Sequence, residues 1–433
     1  MSESLRQVVA RSRAGEAVAI PSVCSAHPEV LVAALLRAEA LDRAVVIEAT
    51  SNQVNQDGGY TGMRPADFIR FVNGLADGAG VDRARIVFGG DHLGPQVWRL
   101  GPADQAMAKA RQMVGDYVLA GFGKIHLDCS EGCVGEPPQI SDRISAERAA
   151  ALAQACEAVG RDITYVIGTE VPPPGGARAG EAGQVVPTSP EGARATLQAH
   201  AEAFEAAGLA RIVPQVAGLV VQPGVEFSPM AVHRLPMGRD PGLRAEMLAW
   251  PGLCLEAHST DYQHPSVFPR LAELGFAFQK VGPALTFAWR QAVYGLDQLA
   301  TLAGWQPGPG LAETMEGLML ADPAHWQGHY RGHSADIRVE RHFGLADRIR
   351  YYWPRPQAQA AVGRLMALFE DRRLPEALLW QAFAPGLLDR AEALASGQGS
   401  QGQPAARAMA RSLTWAAVQL ALDPYFFDPQ GGK

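Results

Sequence analysis

No uninterrupted apolar stretch in the 433 residues approaches the ~18 needed to cross a bilayer. The first twenty residues scatter charges and contain no apolar core before a small-residue cleavage site, so no secretory signal is expected. Cysteine is scarce: Cys24, Cys129, Cys133, Cys156 and Cys254 are odd in number and irregular in spacing, which argues against a disulfide framework. The pair in "LDCSEGC" lacks the second pair that a structural zinc site would need. Positive charge is not in excess, because the formal net charge is −7, so no nucleic-acid-binding face is indicated. No GxxxxGK[ST] loop occurs, which removes the usual cradle for a nucleoside triphosphate. What remains is the profile of a soluble, cytoplasmic, ordinarily globular enzyme, with no membrane and no nucleic acid among its partners.

From residue 18 to about 290, short apolar runs alternate with alanine- and leucine-rich segments of helical period. The runs are "AVAIPSVCSAH", "AVVIEATSNQ", "RIVFGGDHLG", "KIHLDCS", "ITYVIGTE", "LVVQPGVEF", "LCLEAHST" and "FAFQKVGPALT". Eight βα units predict an α/β fold, a (β/α)₈ TIM barrel, over residues 1–298, with a doubly wound open sheet as the competing arrangement. Beyond residue 300 the segments read as amphipathic helices, with "SGQGSQGQP" as a connector before the last. A mostly helical C-terminal extension, 299–433, is therefore expected as a lid or an interface. The proline- and glycine-rich stretch 172–190 after the fifth strand is either a lid or a mobile loop.

Polar residues gather at the C-terminal ends of the runs, the rim on which barrel enzymes place their chemistry. "GGDHLGP" ends the third run with Asp91 beside His92. Neighbours on a strand point to opposite sides, so both reach one site only if the glycines let the backbone twist. The imidazole can then hold a divalent cation while the carboxylate moves a proton; otherwise Asp91 caps a helix and His92 packs beneath it. In "KIHLDCS" alternation puts Lys124, His126 and Asp128 on one side, with Asp128 nearest the rim as a second acid/base group and the other two structural. Glu170 ends the fifth run, Gln222 and Glu226 lie in the sixth, and Glu256 and His258 in the seventh. With His92 these form a histidine and carboxylate set suited to a catalytic metal. Ser259, Thr260, Gly282 and Thr286, after the last two strands, suit a phosphate site, with Lys280 as a further substrate contact. Glu48, Ser51, Asn52, Gln53 and Asn55 offer donors and acceptors for several hydroxyls.

These blocks, together with "IEATSNQVNQDGGYTGM", "YVIGTEVPPPGGA", "EAHSTDYQ" and "DRIRYYW", closely resemble the tagatose-bisphosphate aldolase Z-subunit family, GatZ/KbaZ-like, along nearly the whole chain. The family is distantly similar to class II metal-dependent aldolases. That resemblance implies Asp91 as proton shuttle, His92 and His258 as metal ligands, and Asp128 as an acid, with Glu170 as an acid or ligand. The aldolases' sixth-strand metal histidine has no counterpart in "VVQPGVEF", where Glu226 or Gln222 would have to substitute, and His27 stands where asparagine is expected in "CSAH". Two functions are implied. One is a metal-dependent 4-epimerase of ketohexose phosphates working by retro-aldol and aldol steps at C3–C4, with zinc as the expected ion and manganese, cobalt, nickel or magnesium as alternatives. The other is a non-catalytic stabilising subunit for a Y-type tagatose-bisphosphate aldolase. A homo-oligomer is expected in either case.

Overall fold

In the computed structural model, residues 2–168, 185–306, 308–397 and 405–428 are described. The expected lid 172–190 therefore lies mostly outside the described residues, as do Glu170 and most of the connector before the last helix. Ten strands are present among them: β1 (Ile20–Cys24), β2 (Val45–Thr50), β3 (Ile86–Leu93), β4 (Lys124–Leu127), β5 (Thr164–Ile167), β6 (Val216–Val220), β7 (Glu226–Ser228), β8 (Ala231–His233), β9 (Cys254–Ala257) and β10 (Phe276–Val281). Eight close into a parallel barrel in the order β1-β10-β9-β6-β5-β4-β3-β2, and β7 and β8 form a separate antiparallel hairpin.

Each of the eight apolar runs supplies a barrel strand. The strands are almost wholly buried, as parallel strands covered by helices must be. Helices Pro28–Ala40, Pro65–Ala79 and Pro190–Ala206 each begin with the proline seen in the sequence, at the position where a missing N–H leaves no bond unmade. The sixth run departs from expectation. Its strand is "VAGLV", and Pro223 with Gly224 at φ 100° turns the chain out of the barrel, so Glu226 opens the hairpin instead of ending a barrel strand.

Helix Pro283–Leu302 follows the last strand and crosses the expected boundary at 298. The extension is helical: Leu311–Ala321, Ser334–Phe343, Pro356–Ala367, Pro385–Ala395 and Ala405–Leu422 are its longer helices. The last of them packs on helices Pro28–Ala40 and Pro283–Leu302. Glu29 fixes it by accepting two bonds from Arg411, both 2.9 Å, and one from Trp415 Nε1 at 2.7 Å. No described helix is long and apolar enough to cross a membrane.

Candidate active site

The glycines of "GGDHLGP" each have a spatial cause. A Cβ on Gly89 would lie 2.8 Å from Glu48 Cγ, one on Gly90 2.6 Å from Leu93 Cδ1, and one on Gly94 1.6 Å from the Asp128 carbonyl oxygen. Between Gly90 and Leu93 the register against β4 shifts, so that three steps along β3 match two along β4. His92 takes φ 47° at this bulge, a left-handed backbone that an L side chain adopts at a cost of order 1–3 kcal/mol. The extra residue defeats strand alternation, and Asp91 and His92 both line one cavity.

That cavity is small, about 70 Å³, and is walled by Asp91, His92 and His258 with Asn52, Gln53, Ser259, Lys280 and Gly282. Ligand atoms of Asp91, His92 and His258 lie within 4.8 Å of one another. His92 Nδ1 is 2.8 Å from Asp128 Oδ2, and its Nε2 is 3.5 Å from Asp91 Oδ2. His258 Nε2 is 3.0 Å from Glu256 Oε1, and its buried Nδ1 has no hydrogen-bond partner among the described residues. His126 Nδ1 is 2.9 Å from Asp91 Oδ1. Ser259, next to His258, also takes a left-handed backbone at φ 52°.

Beneath these groups lies a buried alternation of charge. Lys124 Nζ is 2.6 Å from Glu48 Oε1 and 2.7 Å from Glu256 Oε2, and all three side chains are fully buried. Lys280 Nζ is 3.4 Å from each of the same two glutamates and ion-pairs closely with Asp91. Glu48 and Glu256 thus bridge two lysines. Through Glu256 and Asp91 the array fixes the orientation of His258 and of the proposed base. Lys124 and His126 have the supporting place expected of them; the lower part of the barrel carries charge because every charge there is paired.

Electrostatics follow from these contacts. Burial would raise the Asp91 carboxyl, but His92, Lys280, His126 and His258 together hold it well below the usual carboxylate range. Burial opposes the Lys280 ammonium, and Asp91, Glu48, Cys24 and Glu256 overcome it and push its pKa well up. Burial and Lys280 pull His258 down to about 3, so its imidazole is neutral at pH 7. Burial also works against a charged His92, yet Asp91 and Asp128 raise it.

The residues present suit a divalent cation. Two imidazoles and a carboxylate converge, one ring nitrogen being buried without a partner among the described residues. Asp128 orients His92 as carboxylates commonly orient metal-bound histidines.

Other expected residues are engaged by partners within the protein, although Gly282 lines both cavities and Thr286 the larger one. Glu226 is buried in the hairpin, where its Oε1 accepts from Phe227 N at 2.9 Å, outside the gathered ligand atoms. Gln222 Oε1 accepts from Gly224 N and Val225 N and so shapes the turn. Thr260 is fully buried, its hydroxyl bonded to the Lys280 carbonyl and to Tyr425. Thr286 donates to Asp347 Oδ2 at 2.6 Å. The N–H groups of Gly282 and Ala284, where helix Pro283–Leu302 begins, donate to Asp261 Oδ1 at 3.1 and 2.8 Å. The donors expected to take a phosphate there already have a carboxylate. Sequence reading missed Asp261, Cys24, Tyr60, Arg350 and Tyr351, all of which line the small cavity.

A larger chamber of about 810 Å³ adjoins, sharing Cys24, Gln53, Tyr60, Gly282 and Arg350 with the small cavity. Arg350 comes from "DRIRYYW" in the extension, which Asp347 docks on the barrel's final helix by accepting from Thr286 and Arg290. Among the described residues Arg350 forms no ion pair; its guanidinium donates to the Ala346 and Asp347 carbonyls and to the Tyr351 hydroxyl.

Comparison with known proteins identifies the family. Residues 5–427 match the model of the family described as D-tagatose-1,6-bisphosphate aldolase subunit GatZ/KbaZ-like. The chain belongs to the GatZ/KbaZ-like family. Within the family, this chain is 47% identical over 387 residues to a protein of Agrobacterium fabrum named D-tagatose 6-phosphate 4-epimerase, covering 88% of this chain and 91% of that protein. A Salmonella choleraesuis protein named D-tagatose-1,6-bisphosphate aldolase subunit GatZ is 44% identical over 395 residues, covering 89% and 92%. A crystal structure from Sinorhizobium meliloti, called a probable tagatose 6 phosphate kinase, superposes with a TM-score of 0.84 at 46% identity, covering 94% of this GatZ/KbaZ-like chain and 99% of that one.

Proposed function

We propose that this GatZ/KbaZ-like protein is a ketohexose-phosphate 4-epimerase that inverts C4 by breaking and remaking the C3–C4 bond. The observation that carries the reading is the convergence of Asp91, His92 and His258 on one cavity, on a chain close in sequence to a protein named for that reaction. His92 and His258 would hold a divalent cation, zinc in our reading, through Nε2 and Nδ1. Bound there, the ion would polarise the C2 carbonyl of the ketose and favour electron flow toward it.

Asp91, ionised at neutral pH, takes the proton of the C4 hydroxyl. The C4–O bond becomes a carbonyl, and the C3–C4 electron pair moves into the C2–C3 unit, giving an aldehyde and an enediolate. Rotation of the aldehyde presents its other face; C3 attacks it, and Asp91 returns the proton to the C4 oxygen. Lys280, positive and beside Asp91, favours the negative charge that develops in this step. Asp128 holds the His92 ring, and Asn52, Gln53 and Ser259 are placed to bond sugar hydroxyls.

The space of about 70 Å³ at the ligand atoms is small beside the adjoining chamber of about 810 Å³, so the rest of a six-carbon phosphate extends toward the chamber. Arg350 stands at that junction, forms no ion pair among the described residues, and suits the phosphate. A kinase reading draws no support from a sequence without a GxxxxGK[ST] loop.

The test uses the purified protein, stripped with a chelator and reloaded with single divalent metals, and follows interconversion of fructose 6-phosphate and tagatose 6-phosphate. Turnover that disappears with the metal and returns with it is expected. No turnover with any metal, combined with rescue of a Y-type aldolase on mixing, would replace this reading with the accessory-subunit one.

A further inference from the structure

In a barrel of this kind the natural seat for a phosphate near the last strand is the start of the following helix, where free N–H groups and the helix dipole meet. Here that seat is taken. Asp261 is 3% exposed, and its Oδ1 accepts from both available N–H groups, those of Gly282 and Ala284, while Pro283 between them has none to offer. The carboxylate is held in place from both sides. Ser259 and Tyr262 have left-handed backbones at φ 52° and 62°, and the Tyr262 hydroxyl donates to the Leu345 carbonyl at 2.6 Å. Asp261 lines the small cavity and not the chamber, whereas Arg350 lines both.

We propose that Asp261 is a specificity-determining residue that restricts the site to ketoses carrying a single phosphate: the phosphate end lies on the chamber side of Arg350, and the other end, beside the helix start, is an uncharged hydroxymethyl group. The proposal rests on the epimerase reading for the identity of the ligand. A second phosphate at the hydroxymethyl end would meet the Asp261 carboxylate where it needs N–H donors. Like charges brought together in a buried cavity strongly disfavour the complex.

The experiment is calorimetric titration of the zinc-loaded protein with fructose 6-phosphate and with fructose 1,6-bisphosphate, for the wild type, Asp261→Asn and Asp261→Ser. Asparagine retains an oxygen for the two N–H groups and removes the charge; serine gives a second neutral variant should the first fold poorly, which thermal melts report. The wild type should bind the monophosphate at least about tenfold more tightly than the bisphosphate, and the neutral variants should shrink that ratio by about tenfold or more. Equal affinity of the wild type for both esters, binding of neither, or an unchanged ratio in folded neutral variants would overturn the proposal. Epimerisation is followed separately. A preserved monophosphate preference without turnover would remove the catalytic reading and still support the role of Asp261.

Discussion

Replacing Lys124 by methionine tests whether the charge array beneath the site is a structural device. Among the described residues Lys124 makes the shortest ion pairs with both Glu48 and Glu256, at 2.6 and 2.7 Å, and Lys280 stands 3.4 Å from each. Methionine fills a similar length beside Phe278, whose ring lies 5.3 Å from the ammonium, so the cavity term is small and the electrostatic term dominates. Removing one partner of a buried ion pair costs about 3–5 kcal/mol because the remaining charge is left uncompensated. For a chain this long that corresponds to a fall in Tm of about 3–5 °C. The glutamates should answer by taking up a proton. Burial raises the Glu256 carboxyl, and Lys124, Lys280 and His258 now hold it well below its usual value; without Lys124 it must rise. A carboxyl with a depressed folded pKa contributes stability above the unfolded value that is lost as pH falls through the folded one. The wild type should therefore lose that contribution only as pH falls below the usual carboxylate range, whereas in Lys124→Met the risen Glu256 carboxyl takes up its proton at higher pH, so the deficit should narrow as pH falls from 8 to 4. Glu256→Gln in the same chain should recover part of the loss, the coupling expected of residues in one network. Differential scanning calorimetry of the single and double variants from pH 8 to pH 4 makes the measurement. A Tm change under about 1 °C, or a deficit that does not vary with pH, would refute a buried, ionised Lys124–Glu256 pair.

Gly94→Ala should be among the least tolerated substitutions, since its Cβ would sit 1.6 Å from the Asp128 carbonyl oxygen; a loss of about 3 kcal/mol or more is expected, read by urea unfolding. Asp91→Asn should abolish turnover while zinc remains bound, as measured by metal analysis of the dialysed protein; unchanged rates would remove Asp91 as the base. His27 lines the chamber with its ring 4.1 Å from that of Trp289, and burial lowers its pKa to about 4. The unfolded chain then binds the proton more tightly between pH 6.5 and 4, so stability contributed by the neutral ring falls as pH falls through that window, by about 1–3 kcal/mol. His27→Gln should flatten that part of the Tm-against-pH curve, and an unchanged slope would count against a buried neutral His27.

How much of this was legible in the sequence depends on the range of the interaction involved. Burial on both faces of a parallel sheet writes itself into every strand, so the eight runs and the rim of polar ends could be read directly. The sixth strand was misplaced because "LVVQPGVEF" is apolar past its end, and only the Pro223-Gly224 turn marks where the chain leaves the barrel. Glu226 therefore does not end a barrel strand; it opens the hairpin, whose Phe227 lines the small cavity. The charge array had a usable signal: the chain has four lysines, and two of them, Lys124 and Lys280, lie inside strand-like runs where an unpaired ammonium is costly. Their partners Glu48 and Glu256 were visible as strand acids, but pairing across the barrel axis leaves no trace in spacing. Arg350 is the extreme case, brought to the mouth from a segment remote in sequence by the bonds of Asp347 to Thr286 and Arg290.

Alternation predicted that Asp91 and His92 diverge, and glycine was the only stated escape. The escape operates, but through His92 itself, whose left-handed backbone places a bulge between Gly90 and Leu93. The glycines act less by twisting than by leaving room, Gly89 for Glu48 and Gly94 for the Asp128 backbone. Strain at a histidine beside an acid is stable only where the surroundings fix both. Here Asp128 and Lys280 do so, one holding the ring and the other the carboxylate. The pair reaches a common target because four strands contribute to holding it, β2 and β4 through Glu48 and Asp128 near their ends, β3 through its bulge, and β10 through Lys280.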